Sequence, residues 1–301
     1  DVVMGPGDDC ALLTLPPDAQ LAVSTDTLVS GVHFFPDMDP VDLGYKALAV
    51  NLSDLAAMGA EPRWVSLALT LPAINERWVA GFAEGFLELA EYYNVALVGG
   101  DMTRGPLSIT VSVKGSVPAG RALMRSGAKA GDGVYVTGTL GDAALALSHL
   151  LGKRTLNENQ LAAVLPRLDH PHPRILAGQA LRGLASSALD LSDGLASDLG
   201  HILKASGVRA QIDLDLLPLS PVLQDAVPAM DAWQLALAGG DDYELCFTVP
   251  QEHHGALDTA LANCGVKFTR IGRILAGEPG IDYLQDEQPV ELHLKGWDHF
   301  A

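Results

Sequence analysis

The chain has 301 residues, 48% of them hydrophobic and 19% charged, so it can fill two buried cores at about 150 residues per domain and is not a disordered chain. Asp and Glu number 37 against 19 Lys and Arg, a formal net charge of −18. That surface repels a phosphate backbone, which excludes binding to nucleic acid, and its sign suits cations or anions bridged by cations.

No apolar run is long enough to read as a transmembrane helix, and no signal peptide opens the chain. The chain starts at Asp1 and runs almost at once into Gly5-Pro6-Gly7-Asp8-Asp9, an opening that suggests a missing leading segment. Cys10, Cys246 and Cys264 are far apart and form no CxxC pair, which points to packing roles in a reducing cytoplasm.

In chain order, Leu21 to Thr25 reads as a strand that ends at Asp26. Asp39 and Pro40 form an N-cap and first position for a helix to about Met58, with Gly59 beyond its end. A strand spans Trp64 to Leu71, and Asn75 caps an amphipathic helix through Tyr93. Val95 to Val98 reads as a short buried strand stopping at Gly99-Gly100-Asp101. Leu107 to Val117 alternates with period two.

The loop from Pro118 to Gly133 carries Arg121, Arg125 and Lys129, and the domain boundary is expected there, giving domains 1–120 and 121–301. The second half opens with a strand at Val134 to Thr137 and a helix from Asp142 to Leu151. Residues 152–173 read as a surface excursion and Arg174 to Leu184 as a helix. Ala188 to Asp190 reads as a strand end, and Ser192 as the cap of a helix to Ala205. Strands near 208–215, 243–249 and 266–274 and helices near 231–238 and 252–263 complete a mixed α/β second domain.

The aspartates are the informative feature. Asp8, Asp9, Asp26, Asp101, Asp190, Asp193, Asp241 and Asp242 all fall where apolar elements meet turns, the places where a rigid scaffold presents binding groups. Each alone is also an ordinary turn residue; together they suit Mg²⁺, which takes oxygen ligands and phosphate partners. In the helix from Pro40, Asn51 and Asp54 share a face, with Lys46 nearby.

No Walker A sequence, GxGxxG fingerprint or GxSxG elbow is present, and the pairs His170/His172 and His253/His254 lack zinc-ligand context. A nucleotide would therefore be held by cations, by helix N-termini after Gly141 and Ser192, and by Arg125 and Lys129.

Gly7-Asp8-Asp9-Cys10-Ala11, Ser24-Thr25-Asp26-Thr27-Leu28-Val29 with His33-Phe34, and Lys46 through Gly59 together resemble the thiamine-monophosphate kinase family. The likeness continues through Gly99-Gly100-Asp101, Arg125-Ser126-Gly127, Asp190 to Gly194, Asp242 to Leu245 and Lys295 to Phe300. It spans nearly the whole chain, within the wider set of aminoimidazole-ribonucleotide-synthetase-like ATP enzymes.

The resemblance implies an α/β fold of two domains, with mixed sheets flanked by helices and ATP near the cleft. It also implies transfer of the ATP γ-phosphoryl to thiamine monophosphate, several Mg²⁺ ions, a cytoplasmic location and a homodimer paired through the N-terminal domains. By resemblance, Asp9, Ser24, Thr25, Asp26, Asp54, Asp101, Asp190 and Asp193 would hold Mg²⁺. Gly100, Asp101, Arg125 and Ser192 would contact ATP. His33, Asp241 (where the family usually has Glu) and Trp297 would meet thiamine monophosphate. No nucleophile or base is expected. The alternatives are another ATP-dependent synthetase of the same superfamily, of purine-pathway type, or a non-catalytic divalent-cation binder.

Overall fold

The computed structural model describes residues 1–7, 9–292 and 294. Strands β1 (Val2–Met4) and β2 (Leu12–Leu13) pair antiparallel at the start of the chain. Next come β3 (Ala19–Val29), α1 (Pro40–Ala57), β4 (Glu61–Leu71), α2 (Glu76–Tyr92), β5 (Ala96–Arg104) and β6 (Ser108–Pro118). These strands form a four-stranded sheet in the order β3-β6-β4-β5, with β4 and β5 parallel and the other pairs antiparallel.

The second half contributes β7 (Gly133–Thr137), α3 (Asp142–Leu150), α4 (Glu158–Asp169), α5 (Ile175–Leu181), β8 (Ser187–Asp190) and α6 (Leu195–Ser206). It continues with β9 (Arg209–Asp213), α7 (Pro221–Ala226), α8 (Ala229–Ala238), β10 (Leu245–Val249), α9 (His254–Leu261), β11 (Phe268–Leu275), β12 (Gly280–Gln285) and β13 (Gln288–Val290). Its seven-stranded mixed sheet has the order β13-β12-β9-β11-β7-β10-β8. The architecture is thus the expected α/β arrangement of two mixed sheets with helices.

Local chemistry sets the two long helices. Asp39 accepts the Val41 N–H at 2.8 Å with Pro40 at the first position, and Asn75 accepts the Trp78 N–H at 3.2 Å. The helices cross closely because Gly85 has no side chain: a Cβ there would lie 1.9 Å from the Val41 carbonyl oxygen. Helix α1 is buried along most of its length, and the largest apolar cluster runs from it into Ile175, Leu181, Leu245 and Phe247. One core therefore spans the division between the two halves, with α1 at its centre.

Four expectations are corrected. Strand β3 runs on to Val29, so Asp26 lies within it and not at its end. Strand β5 does not stop at Gly99-Gly100-Asp101 but continues beside β4 as far as the Leu71–Arg104 pair. The supposed excursion at 152–173 contains α4, started by a reciprocal cap between Asn157 and Gln160. Ser192 does not cap α6; Gly194 holds that position, with φ 103° and no side-chain bond.

Candidate functional site

Helix α1 places four polar side chains of an otherwise apolar segment against other elements. Asn51 is fixed by donating to the Ala47 carbonyl at 2.9 Å, and its Oδ1 accepts the Asp26 N–H at 3.1 Å, which docks β3 on the helix. Ser53 donates to Asp190 Oδ2 at 2.7 Å, reaching the end of β8. Asp54 Oδ2 accepts from the Ser24 hydroxyl at 2.5 Å. One turn or more earlier, Lys46 Nζ reaches Asp241 Oδ2 at 3.0 Å. Period-two alternation along β3 turns Ser24 and Asp26 toward α1. Thr25 faces the other side of the sheet, where it donates to Ser112 at 2.9 Å.

These contacts gather three carboxylates from three elements. Partial desolvation, followed by the charge of Asp54, pushes Asp26 up to about 6. Burial raises Asp54 as well, against the opposing pull of the Ser24 hydroxyl, its hydrogen bond with Asp26 and the field of Arg125. Burial and then the Asp54 charge push Asp190 up to about 7. A fourth acid, Asp198, is raised to about 7 by burial although it accepts the Asp193 N–H at 3.0 Å. Burial is the first cause of all four rises, and the Asp54 charge adds to it at Asp26 and Asp190, so ionising the cluster leaves negative charge short of compensation.

Arg125, exposed in the loop after β6, is the cation whose field acts on both Asp54 and Asp198. Its loop is tied to the end of α6, since the Ser206 hydroxyl accepts the Gly127 and Ala128 N–H groups at 3.1 and 3.2 Å. Beside the acids, Asp241 sits in a left-handed conformation with φ 67°, and the Tyr243 hydroxyl donates to its Oδ1 at 3.2 Å. The half-buried Ser192 contributes its carbonyl, which accepts the Asp241 N–H at 2.9 Å.

The remaining expected residues lie as follows. Gly100 and Asp101 are exposed on the edge strand β5 and take no part in this contact network. Gly100 is required by packing, since a Cβ there would stand 1.9 Å from the Leu67 carbonyl oxygen of β4. Asp9 is exposed in the bend before β2. His33 is half-buried in the turn after β3, where its Nδ1 accepts the Val29 N–H at 3.0 Å. Trp297 lies outside the described residues. Among the described residues, no three His, Cys, Asp or Glu side chains form a ready-made metal nest.

Sequence reading missed Ser53, Asp198 and Tyr243. Ser53 carried a signal, since a hydroxyl beside Asp54 in a buried helix needs a partner. Asp198 lies in the first turn of α6, a position that also suits an ordinary helix-start acid. The Tyr243 contact depends on a backbone turn that no short motif encodes.

Beneath the site, Glu244 is buried between Arg167 and Arg174, with contacts of 2.5–2.7 Å, and takes the Thr137 hydroxyl at 2.6 Å. Burial opposes its ionisation, but the Arg174 hydrogen bond and the charges of both arginines hold its carboxyl below the usual range. Asp242 accepts the Gly141 N–H at 2.9 Å. This network pins the 241–244 segment to the floor of the site.

Residues 7–117 match the family model for the AIR synthase related protein N-terminal domain, and residues 129–283 match that for its C-terminal domain. A thiamine-monophosphate kinase of Escherichia coli strain K12 is 57% identical over 302 aligned positions, which cover 100% of this chain and 93% of that protein. The crystal structure of thiamine-monophosphate kinase from Stenotrophomonas maltophilia K279a superposes with TM-score 0.89 and 46% identity, covering 96% of this chain and 92% of that one. AaThiL complexed with AMPPCP and TMP superposes with TM-score 0.82 and 34% identity, covering 97% and 91%. No helix among the described residues is long and apolar enough to cross a membrane.

Proposed function

The chain belongs to the thiamine-monophosphate kinase family, and we propose that the carboxylate cluster on α1, β3 and β8 is where it transfers phosphoryl groups. The chain is an ATP-dependent kinase that phosphorylates thiamine monophosphate to thiamine diphosphate. The observation that carries the site reading is the approach of Asp26, Asp54 and Asp190, three acids from distant parts of the sequence whose proton affinities rise together.

The three carboxylates are not pre-arranged as a metal site, but their chemistry suits Mg²⁺. The set consists of hard oxygens with excess negative charge, opened to solvent at Asp26 and flanked by the hydroxyl of Ser24. Asp26, Asp54 and Asp190 would hold the ions, joined by Asp9, Asp101 and Asp193 once the nucleotide is bound. Thr25 would take part through its main chain, because its side chain faces Ser112. Bound Mg²⁺ would neutralise charge on the phosphates of both substrates.

The chain's own residues supply orientation. Arg125 would meet the ATP phosphates, with Gly100 and Ser192 contributing main-chain contacts. His33, Asp241 and Trp297 would receive thiamine monophosphate. An oxygen of its phosphate attacks the γ-phosphorus, the bond from that phosphorus to the β–γ bridging oxygen breaks, and ADP leaves with the electron pair. The attacking oxygen is already anionic at neutral pH, so no side-chain base or nucleophile is needed.

Two domains dividing near residue 120 are supported by the break between the two matched family models. A homodimer through the N-terminal sheet is supported by Leu21, Val23, Leu97 and Met102, large apolar side chains exposed on its two edge strands. Cytoplasmic action is supported by three cysteines that are all free thiols. The test is ADP release by the purified chain with ATP and Mg²⁺. Release that rises on adding thiamine monophosphate supports the reading. Release indifferent to it, or raised instead by a purine-pathway amidine, overturns it.

A further inference from the structure

Asp241 is held at three levels. Its backbone is left-handed, as is that of Tyr243 at φ 47°, and such conformations persist in residues other than glycine only where the surroundings fix them. The fixing bonds are Asp241 N–H to the Ser192 carbonyl at 2.9 Å, Tyr243 N–H to the Leu191 carbonyl at 2.8 Å, and Gly141 N–H to the Asp242 carboxylate. Its side chain is then gripped at both oxygens, Oδ2 by Lys46 at 3.0 Å and Oδ1 by the Tyr243 hydroxyl at 3.2 Å.

Lys46 is an unusual donor for this purpose. It is buried in the apolar helix α1, with a side chain only 5% exposed, and reaches a carboxylate 195 positions away in the sequence. A buried ammonium is costly without a partner, so Lys46 and Asp241 fix one another. Asp241 is also close enough to the acid cluster that the Tyr243 ring senses the charges of Asp241, Asp190 and Asp26 together. Without Lys46, Asp241 would add another unbalanced charge there and be driven to turn away.

We propose that Lys46 and Tyr243 are positioning residues that clamp the Asp241 carboxylate in the orientation that receives the thiamine end of the acceptor. The proposal rests on the kinase reading above and extends it to substrate specificity. A clamped carboxylate presents its remaining lone pairs in one direction, so it selects a ligand donor by geometry and not only by charge. Neither residue is needed for the ATP phosphates, so loss of the clamp falls on one substrate.

The test measures KM for each substrate in Lys46→Met and Tyr243→Phe, alone and combined with Asp241→Gly. Each single variant raises KM for thiamine monophosphate, by about tenfold for Lys46→Met and by less for Tyr243→Phe, while KM for ATP stays within about twofold. In the Asp241→Gly background, which removes the side chain and tolerates the left-handed backbone, either change adds less than about twofold, because its target is gone. Equal losses for both substrates, or a Lys46 effect that persists in full without Asp241, overturn the clamp; the second result is what a lysine acting directly on phosphate would give. If Lys46→Met does not fold, Tyr243→Phe decides by the same criteria, since it deletes one hydroxyl and no charge. Wild-type protein that leaves thiamine monophosphate unchanged refutes the kinase reading itself, whereas active wild type with uniform variants refutes only the clamp.

Discussion

Replacing Asp190 by Asn makes the metal-free protein more stable at alkaline pH while removing its activity. Asp190 is buried at the end of β8, accepts from Ser53 and faces the charge of Asp54. Its carboxyl is raised to about 7 in the folded chain, whereas in the unfolded chain it returns to the ordinary range near 4. A carboxyl with a raised folded-state pKa favours folding fully at low pH, and that benefit fades as pH climbs from about 4 to about 7. Asn keeps an acceptor for Ser53 and carries no charge, so it escapes this loss.

At about 1.4 kcal/mol per pH unit, the stability advantage of Asp190→Asn grows by about 2 kcal/mol between pH 5.5 and pH 7 and then levels off. Urea unfolding of both proteins in EDTA at pH 5.5, 7 and 8 reads this directly. A variant that is equally destabilised at all three values would refute the picture of Asp190 as a buried acid strained by its neighbours.

Asp54→Asn lowers turnover by about 100-fold or more with the melting temperature held or raised, a pair of readouts that separates a site residue from a structural one. Mg²⁺ raises the melting temperature more at pH 8 than at pH 6, because protons on Asp26, Asp190 and Asp198 compete with the cation at the lower value; a shift equal at both would contradict the cluster's role. Glu244→Gln removes the buried charge that Arg167 and Arg174 share and destabilises the chain by about 3 kcal/mol in urea unfolding, leaving two half-buried guanidinium groups under-compensated.

The sequence made legible what is local. Asp39-Pro40 and Asn75 are helix starts whose side chains bond within three residues, and both helices form where these signals place them. The aspartates stood out for a related reason, since charge at the margin of apolar runs is visible without a fold. What failed depended on partners elsewhere. Gly99-Gly100 reads as a strand stop, yet Gly100 is there so that β5 can pass against the Leu67 carbonyl and continue. Helix α4 is masked by an internal Pro166 and an even mix of polar and apolar residues. Asp26 read as a strand end because the acid interrupts an apolar pattern, although β3 continues to Val29 and uses the Asp26 N–H to hold Asn51.

The candidate site shows the same division. Asn51 and Asp54 share a face of α1 by spacing alone, and the structure sets that face against β3. Nothing in the spacing could pair Ser53 with Asp190 or Lys46 with Asp241, because each pair joins the two halves of the chain. Those joins exist because α1 runs through a core common to both sheets.

Phosphorus NMR of the purified chain with ATP, Mg²⁺ and thiamine monophosphate tests the central claim most directly. The account predicts that thiamine diphosphate and ADP appear one for one, and that neither forms when Mg²⁺ is chelated. ADP accompanied by inorganic phosphate, with the thiamine monophosphate signal unchanged, would contradict it.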